Sequence, residues 1–190
     1  MLGISFRKTS DEERLLRRLR DGDDEAAQQL YRLHVRYLAA LCSRYIRREE
    51  DVKDVLQESF LKIFAAVDNF EYRGKGSLRA WMARITLNEA LSFLRSNSRL
   101  DTVDIDDANV STIAEELSTD DIPTDVLHQF VSELPDGYRT VFNLYVVEDK
   151  SHKEIAQLLG ITASTSATQL YKAKAALANK IKEYRKTNSI

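Results

Sequence analysis

The feature that most constrains this chain is how little interrupts it: 190 residues contain only two prolines and six glycines. Apolar residues recur at the spacing of an amphipathic helix nearly throughout, and no pair of alternating segments reads as a hairpin. The expectation is an all-α protein. With 43% apolar and 31% charged residues, the composition suits a soluble globular chain of one ordinary domain or two small ones. The opening MLGISFRKTS lacks the apolar core of a secretory signal, and no apolar run approaches the roughly 18 residues of a membrane span. A cytoplasmic protein without membrane insertion is expected. Cys42 is the single cysteine, so no disulfide or cysteine zinc site can form within the chain, and it reads as core. His34, His128 and His152 have no partner at a metal-ligand spacing, and no glycine-rich phosphate loop or nucleophile motif is present. No catalytic residue, metal, cofactor or small-molecule substrate is expected.

The formal net charge of -2 hides a partition. Residues 1–98 carry 18 basic and 15 acidic residues, 99–122 carry 1 and 8, and 123–190 carry 9 and 7. The central segment is therefore -7, lacks a sustained apolar period and ends at Pro123, so it reads as an acidic linker between two small helical domains. The expected boundaries are 12–98, 99–122 and 123–187. Within the flanks, residues 72–99 and 163–190 are each +5, which points to two separate contacts with a polyanion.

In the C-terminal part, a helix is expected over Pro123 to Glu133, stopped by Leu134-Pro135. A second helix comes next, with Tyr138, Val141, Phe142, Tyr145 and Val146 spaced for a buried face. Ser151 and Glu154 form a capping-box pattern, Gly160 sits at a helix C-cap, and Thr162 can cap the next helix, whose Leu170, Ala173 and Leu177 face inward. Helix, glycine turn and helix make a helix-turn-helix, whose second member would enter the major groove by its N-terminal residues. The short polar run Ser164, Thr165, Ser166, Ala167, Thr168 and Gln169 can approach phosphates and base edges, with charge from Lys172, Lys174, Lys180 and Lys182.

The N-terminal part begins with a helix carrying Leu30, Leu33, Tyr37, Leu41 and Tyr45 as its apolar stripe. In the next helix Val52, Val55, Leu56, Ser59, Phe60 and Ile63 face inward, while Asp51, Asp54, Glu58 and Lys62 form an outer row that pattern alone reads as solvated. The loop Phe70 to Ser77 mixes aromatic, glycine and basic residues, as a site capturing an unpaired base can. The helix after it sets Arg84, Asn88, Ser92 and Arg95 in a polar row, and Trp81 reads as core.

These residues resemble a known family. DVLQESFLKIF, then GSLRAWMARITLNEALSFLR, then LPDGYRTVFNLYVVEDKSHKEIAQLLGITASTSATQLYKAKAAL are similar to the two-domain bacterial sigma factors of the extracytoplasmic-function (ECF) group, over roughly residues 12–185. The resemblance implies a non-catalytic subunit that binds core RNA polymerase and directs it to promoter DNA. It implies that Asp51, Asp54, Gln57, Glu58, Phe60 and Lys62 dock on polymerase, turning the apparently solvated row into a partner surface. Phe70, Tyr72, Arg73, Lys75, Arg84, Asn88 and Arg95 correspond to residues that melt and read the minus-ten element. Ser164, Ala167, Thr168, Tyr171, Lys172 and Lys174 correspond to readers of the minus-thirty-five duplex. The linker is expected to thread the polymerase cleft, and the family pattern allows for an anti-sigma factor that covers the docking faces. Leu78, Ser92, Ser166, Ala167 and Gln169 depart from the usual family residues. The first three read as packing variation, and the last two alter the promoter contacts. The competing classes are an autonomous helix-turn-helix regulator with a sensory N-terminal domain and a nucleic-acid enzyme; the latter lacks a metal-binding carboxylate cluster.

Overall fold

The computed structural model describes residues 10–96, 119 and 121–188. Among them are eight α-helices and no strand: α1 (Asp11–Arg20), α2 (Asp24–Ser43), α3 (Glu49–Ala66), α4 (Ser77–Ser96), α5 (Thr124–Ser132), α6 (Asp136–Phe142), α7 (His152–Leu159) and α8 (Ala163–Asn188). A 3₁₀ turn, Val67–Asn69, comes after α3, and a π-type segment, Asn143–Val147, after α6. The chain divides into two compact units. One holds α1 to α3 and α4 as far as Ala90; the other holds α5 to α8, the end of α4 and residues 44–47.

In the first unit, α1 starts with a capping box: Ser10 Oγ accepts the Glu13 N–H at 3.2 Å and Glu13 accepts the Ser10 N–H at 2.8 Å, satisfying two otherwise unpaired donors. Leu15, Leu16 and Leu19 then form its buried side. Along α2 the buried line is Ala26, Leu30, Leu38, Leu41 and Cys42, with His34 half-buried between. Leu33, expected in that line, is 61% exposed. At about 100° per residue, position 34 stays nearer to Leu30 around the helix than position 33 does, so a four-residue step carries the line and Leu33 turns outward. Cys42 fills core, and burial pushes its thiol up to about 12. The inward residues of α3 are Val52, Val55, Leu56, Ser59, Phe60 and Ile63, as the spacing predicts.

In the second unit, α8 is the wall against which α5, α6 and α7 pack. Leu134, Tyr138 and Ala173 form a buried cluster, flanked by Phe142, Ala176 and Leu177. Tyr145 and Val146, expected on the inner face, are exposed. The cause is the π-type winding over Asn143–Val147, which adds residues to the turn and rotates both side chains off the buried line. Tyr145 instead stacks on the His152 ring, 4.8 Å between centroids. Most of the acidic segment 99–122 lies outside the described residues. Of its end, Ile122 is buried and Asp121 pairs with Arg185 of α8 through contacts of 2.6 and 2.7 Å.

Candidate nucleic-acid interface

The outer face of α3 exposes Asp54, Gln57, Glu58 and Lys62, with Asp51 half-buried at its start. Lys62 Nζ reaches Glu89 of α4 at 2.6 Å, so the positive end of the row is shared with the neighbouring helix. Phe60 does not belong to this face. It is 4% exposed and packs against the rings of Tyr31 (4.7 Å) and Phe64 (6.0 Å), which corrects its expected role as a docking contact. Its successor Leu61 is 57% exposed and falls one turn past Gln57 and two past Asp54, which places an apolar residue at the C-terminal end of the row, beside Lys62. Sequence reading passed over it because Leu61 lies between the inward-facing Phe60 and Ile63 and reads as core with them; the helical spacing from Asp54 was the available signal.

The loop between the 3₁₀ turn and α4 borders a cavity of about 460 Å3, lined among others by Asn69, Phe70, Glu71, Arg73, Trp81 and Arg84. Phe70 and Trp81 form its aromatic side, with centroids 4.8 Å apart at 35°. Phe70 is itself buried, so it supports the cavity more than it projects from it, whereas Trp81, expected as core, is only half-buried. Arg73 and Lys75 are exposed, and Arg73 pairs with Glu71 at 3.2 Å. Tyr72 is half-buried. Arg84, Asn88, Ser92 and Arg95 are all exposed along α4; Ser92 is therefore a surface change and not a packing one. Leu78, by contrast, is fully buried. The site combines a ring-walled hollow with cationic rims, the chemistry that stacks a base and neutralises its phosphate.

In the second unit the helix-turn-helix forms as expected. Ser151 and Glu154 make a reciprocal capping box at α7, and Gly160 ends it in the left-handed region at φ +70°. Thr162 Oγ1 accepts the Thr165 N–H at 3.0 Å, capping α8. The exposed side of the start of α8 presents Ser164, Ala167, Thr168, Tyr171 and Lys174, with Lys172 half-buried. Ser166 and Gln169 point the other way. Ser166 is fully buried, its Oγ 3.0 Å from His152 Nδ1, and Gln169 is 2% exposed. Neither can reach a groove, which corrects the expectation that the whole run Ser164 to Gln169 faces nucleic acid. Lys180 is likewise engaged within its unit, 2.6 Å from Glu133, and this pairing holds the Glu133 carboxyl below its ordinary value. Among the described residues, no cluster of His, Cys, Asp or Glu could hold a metal ion, and no helix is long and apolar enough to cross a membrane.

Fold and surfaces together define an all-α protein with exposed basic residues in each of two units. Residues 30–100 match the family described as Sigma-70 region 2, and residues 124–177 match Sigma-70, region 4. The ECF RNA polymerase sigma-E factor of Haemophilus influenzae is 26% identical over 182 residues, covering 90% of this chain and 95% of its own. That of Escherichia coli is 28% identical over 179 residues, covering 88% and 92%. A solved structure of CnrH in complex with the cytosolic domain of CnrY covers 89% of this chain and 96% of its own, at 24% identity and a TM-score of 0.46. The chain belongs to the sigma-70 family, in its ECF group. Sigma factors bind core RNA polymerase and promoter DNA, and promoter-specific initiation of transcription is the family's function.

Proposed function

We propose that this sigma factor grips a promoter at two points, reading the minus-thirty-five element as duplex through α8 and the minus-ten element as a melted strand through α4 and the loop before it. The observation that carries the reading is the cavity beside Trp81, where an aromatic wall meets Arg73 and Arg84 at the mouth of a polar helix row. Phe70 backs that wall, and Tyr72, Lys75, Asn88 and Arg95 complete the surface along which a strand runs. At the other grip, burial of Gln169 leaves no amide and no arginine on the first exposed turns of α8. Base reading there falls to hydroxyl and methyl groups of Ser164, Ala167 and Thr168 and to Tyr171, with Lys172 and Lys174 on phosphates. Core polymerase docks on the outer face of α3 through Asp51, Asp54, Gln57, Glu58 and Lys62, with Leu61 as its apolar contact. This assigns the chain to the cytoplasm, where an anti-sigma factor able to cover the same face would hold it inactive.

The test is transcription in vitro on a library of genomic fragments, with start sites mapped. Initiation is expected only when core polymerase and this chain are both present, from starts that share two upstream elements. Tight, sequence-specific binding of duplex without polymerase would instead identify an autonomous regulator and overturn the reading.

A further inference from the structure

Gly74 and Gly76 both have positive φ, +111° and +85°, so the loop before α4 takes a path that carries little conformational preference of its own. Ser77 closes its far end, donating to Gly74 O at 2.7 Å. The rest of the loop is held by residues at the start and end of α1. Glu12 Oε2 accepts the Gly76 N–H at 3.1 Å, and Ser10 Oγ lies 2.9 Å from Tyr72 Oη. Arg20 donates to the carbonyl of Phe70 and, at 3.4 Å, to that of Val67. The loop is thus fixed near its beginning, middle and end from one helix, itself held rigid by its capping box.

We propose that α1 is the positioning element of the strand-capturing pocket, with Ser10, Glu12 and Arg20 setting the loop in the shape that receives a base. The inference rests on the reading of that loop as the minus-ten grip. None of the three lines the cavity; they act through Phe70, Tyr72 and Gly76. Two of the ties involve a charged group on a backbone atom, the stronger kind of hydrogen bond, and α1 meets the ordering cost of the loop before any strand arrives. Arg79 adds a tie on the far side, its guanidinium 3.7 Å from the Tyr37 ring centroid, which seats the first turn of α4 on α2.

Trp81 is the only tryptophan of the chain and lines the cavity, so its fluorescence reports the site directly. The full chain is titrated with single-stranded oligonucleotides drawn from the promoters located by start-site mapping. Glu12→Ala is expected to weaken binding about tenfold, the cost of losing a charge-assisted bond. Glu12→Gln, which keeps an acceptor oxygen for Gly76, is expected to recover most of the loss. Affinity for core polymerase should be unchanged in both. Arg20→Ala, at an exposed position, is the second variant if Glu12→Ala does not fold. Wild-type affinity in both Ala variants overturns the positioning role and leaves the pocket reading intact. An equal loss of polymerase affinity also overturns it, as general damage. Silence of Trp81 toward any strand in the wild-type protein overturns both readings.

Discussion

Phe60 and Leu61 are adjacent in the chain and opposite in what they do. Phe60 is enclosed by aromatic neighbours, so Phe60→Ala should cost about 3–5 kcal/mol in a urea melt. Leu61→Ala removes exposed surface and should change stability by less than about 0.5 kcal/mol while weakening core-polymerase binding severalfold. Undiminished polymerase binding by Leu61→Ala would place the docking face elsewhere. His34 makes a different demand. Burial holds its imidazole below the ordinary 6.5, opposed by Glu12 and reinforced by Arg79. The unfolded chain then takes up the proton first, so the stability that neutral His34 contributes is complete above about pH 6.5 and is lost as pH falls toward the folded value. Melting temperatures measured from about pH 7.5 to 5 should fall for the wild-type protein and fall less for His34→Gln. At this scale the sequence is a partial guide. It places Cys42 in the core line of α2 and turns Phe60 inward, but it does not say whether an exposed apolar neighbour such as Leu61 meets a partner.

Helix starts and stops were the most legible elements, because each is written in three or four local residues. The box at Ser151, the Gly160 stop and the Thr162 cap are all where the spacing puts them. At Gly160 an added Cβ meets nothing within 4 Å, so Gly160→Ala carries backbone strain alone. It should lower stability by about 1–2 kcal/mol in a thermal melt, with a matching loss of transcription from minus-thirty-five-dependent promoters. What the sequence did not disclose is the π-type segment Asn143–Val147. Its residues keep helical spacing on paper, and only the packing of the unit decides that the winding loosens there. The capping box at Ser10 also went unread, although Ser10 and Glu13 carry the same spacing as Ser151 and Glu154.

Over the whole molecule, the charge partition was legible by counting and explains how a DNA-binding chain can be net acidic. The all-α class and the family were equally legible, since both rest on long patterns that survive errors in any single residue. Which side of α8 is exposed was not, because Ser166, Ala167, Thr168 and Gln169 are all short or polar and only the fold separates the buried pair from the exposed one. That helix has a second role. It supplies the surface on which α5, α6 and α7 bury their apolar sides. During synthesis the N-terminal unit can therefore close while ribosomes are still translating the other half, but α5 to α7 lack their main packing surface until Ala163 and the turns after it have emerged. An arrested chain that ends before α8 leaves α5 to α7 without that surface, and cellular proteases meet them as a loosely packed tail on a finished domain.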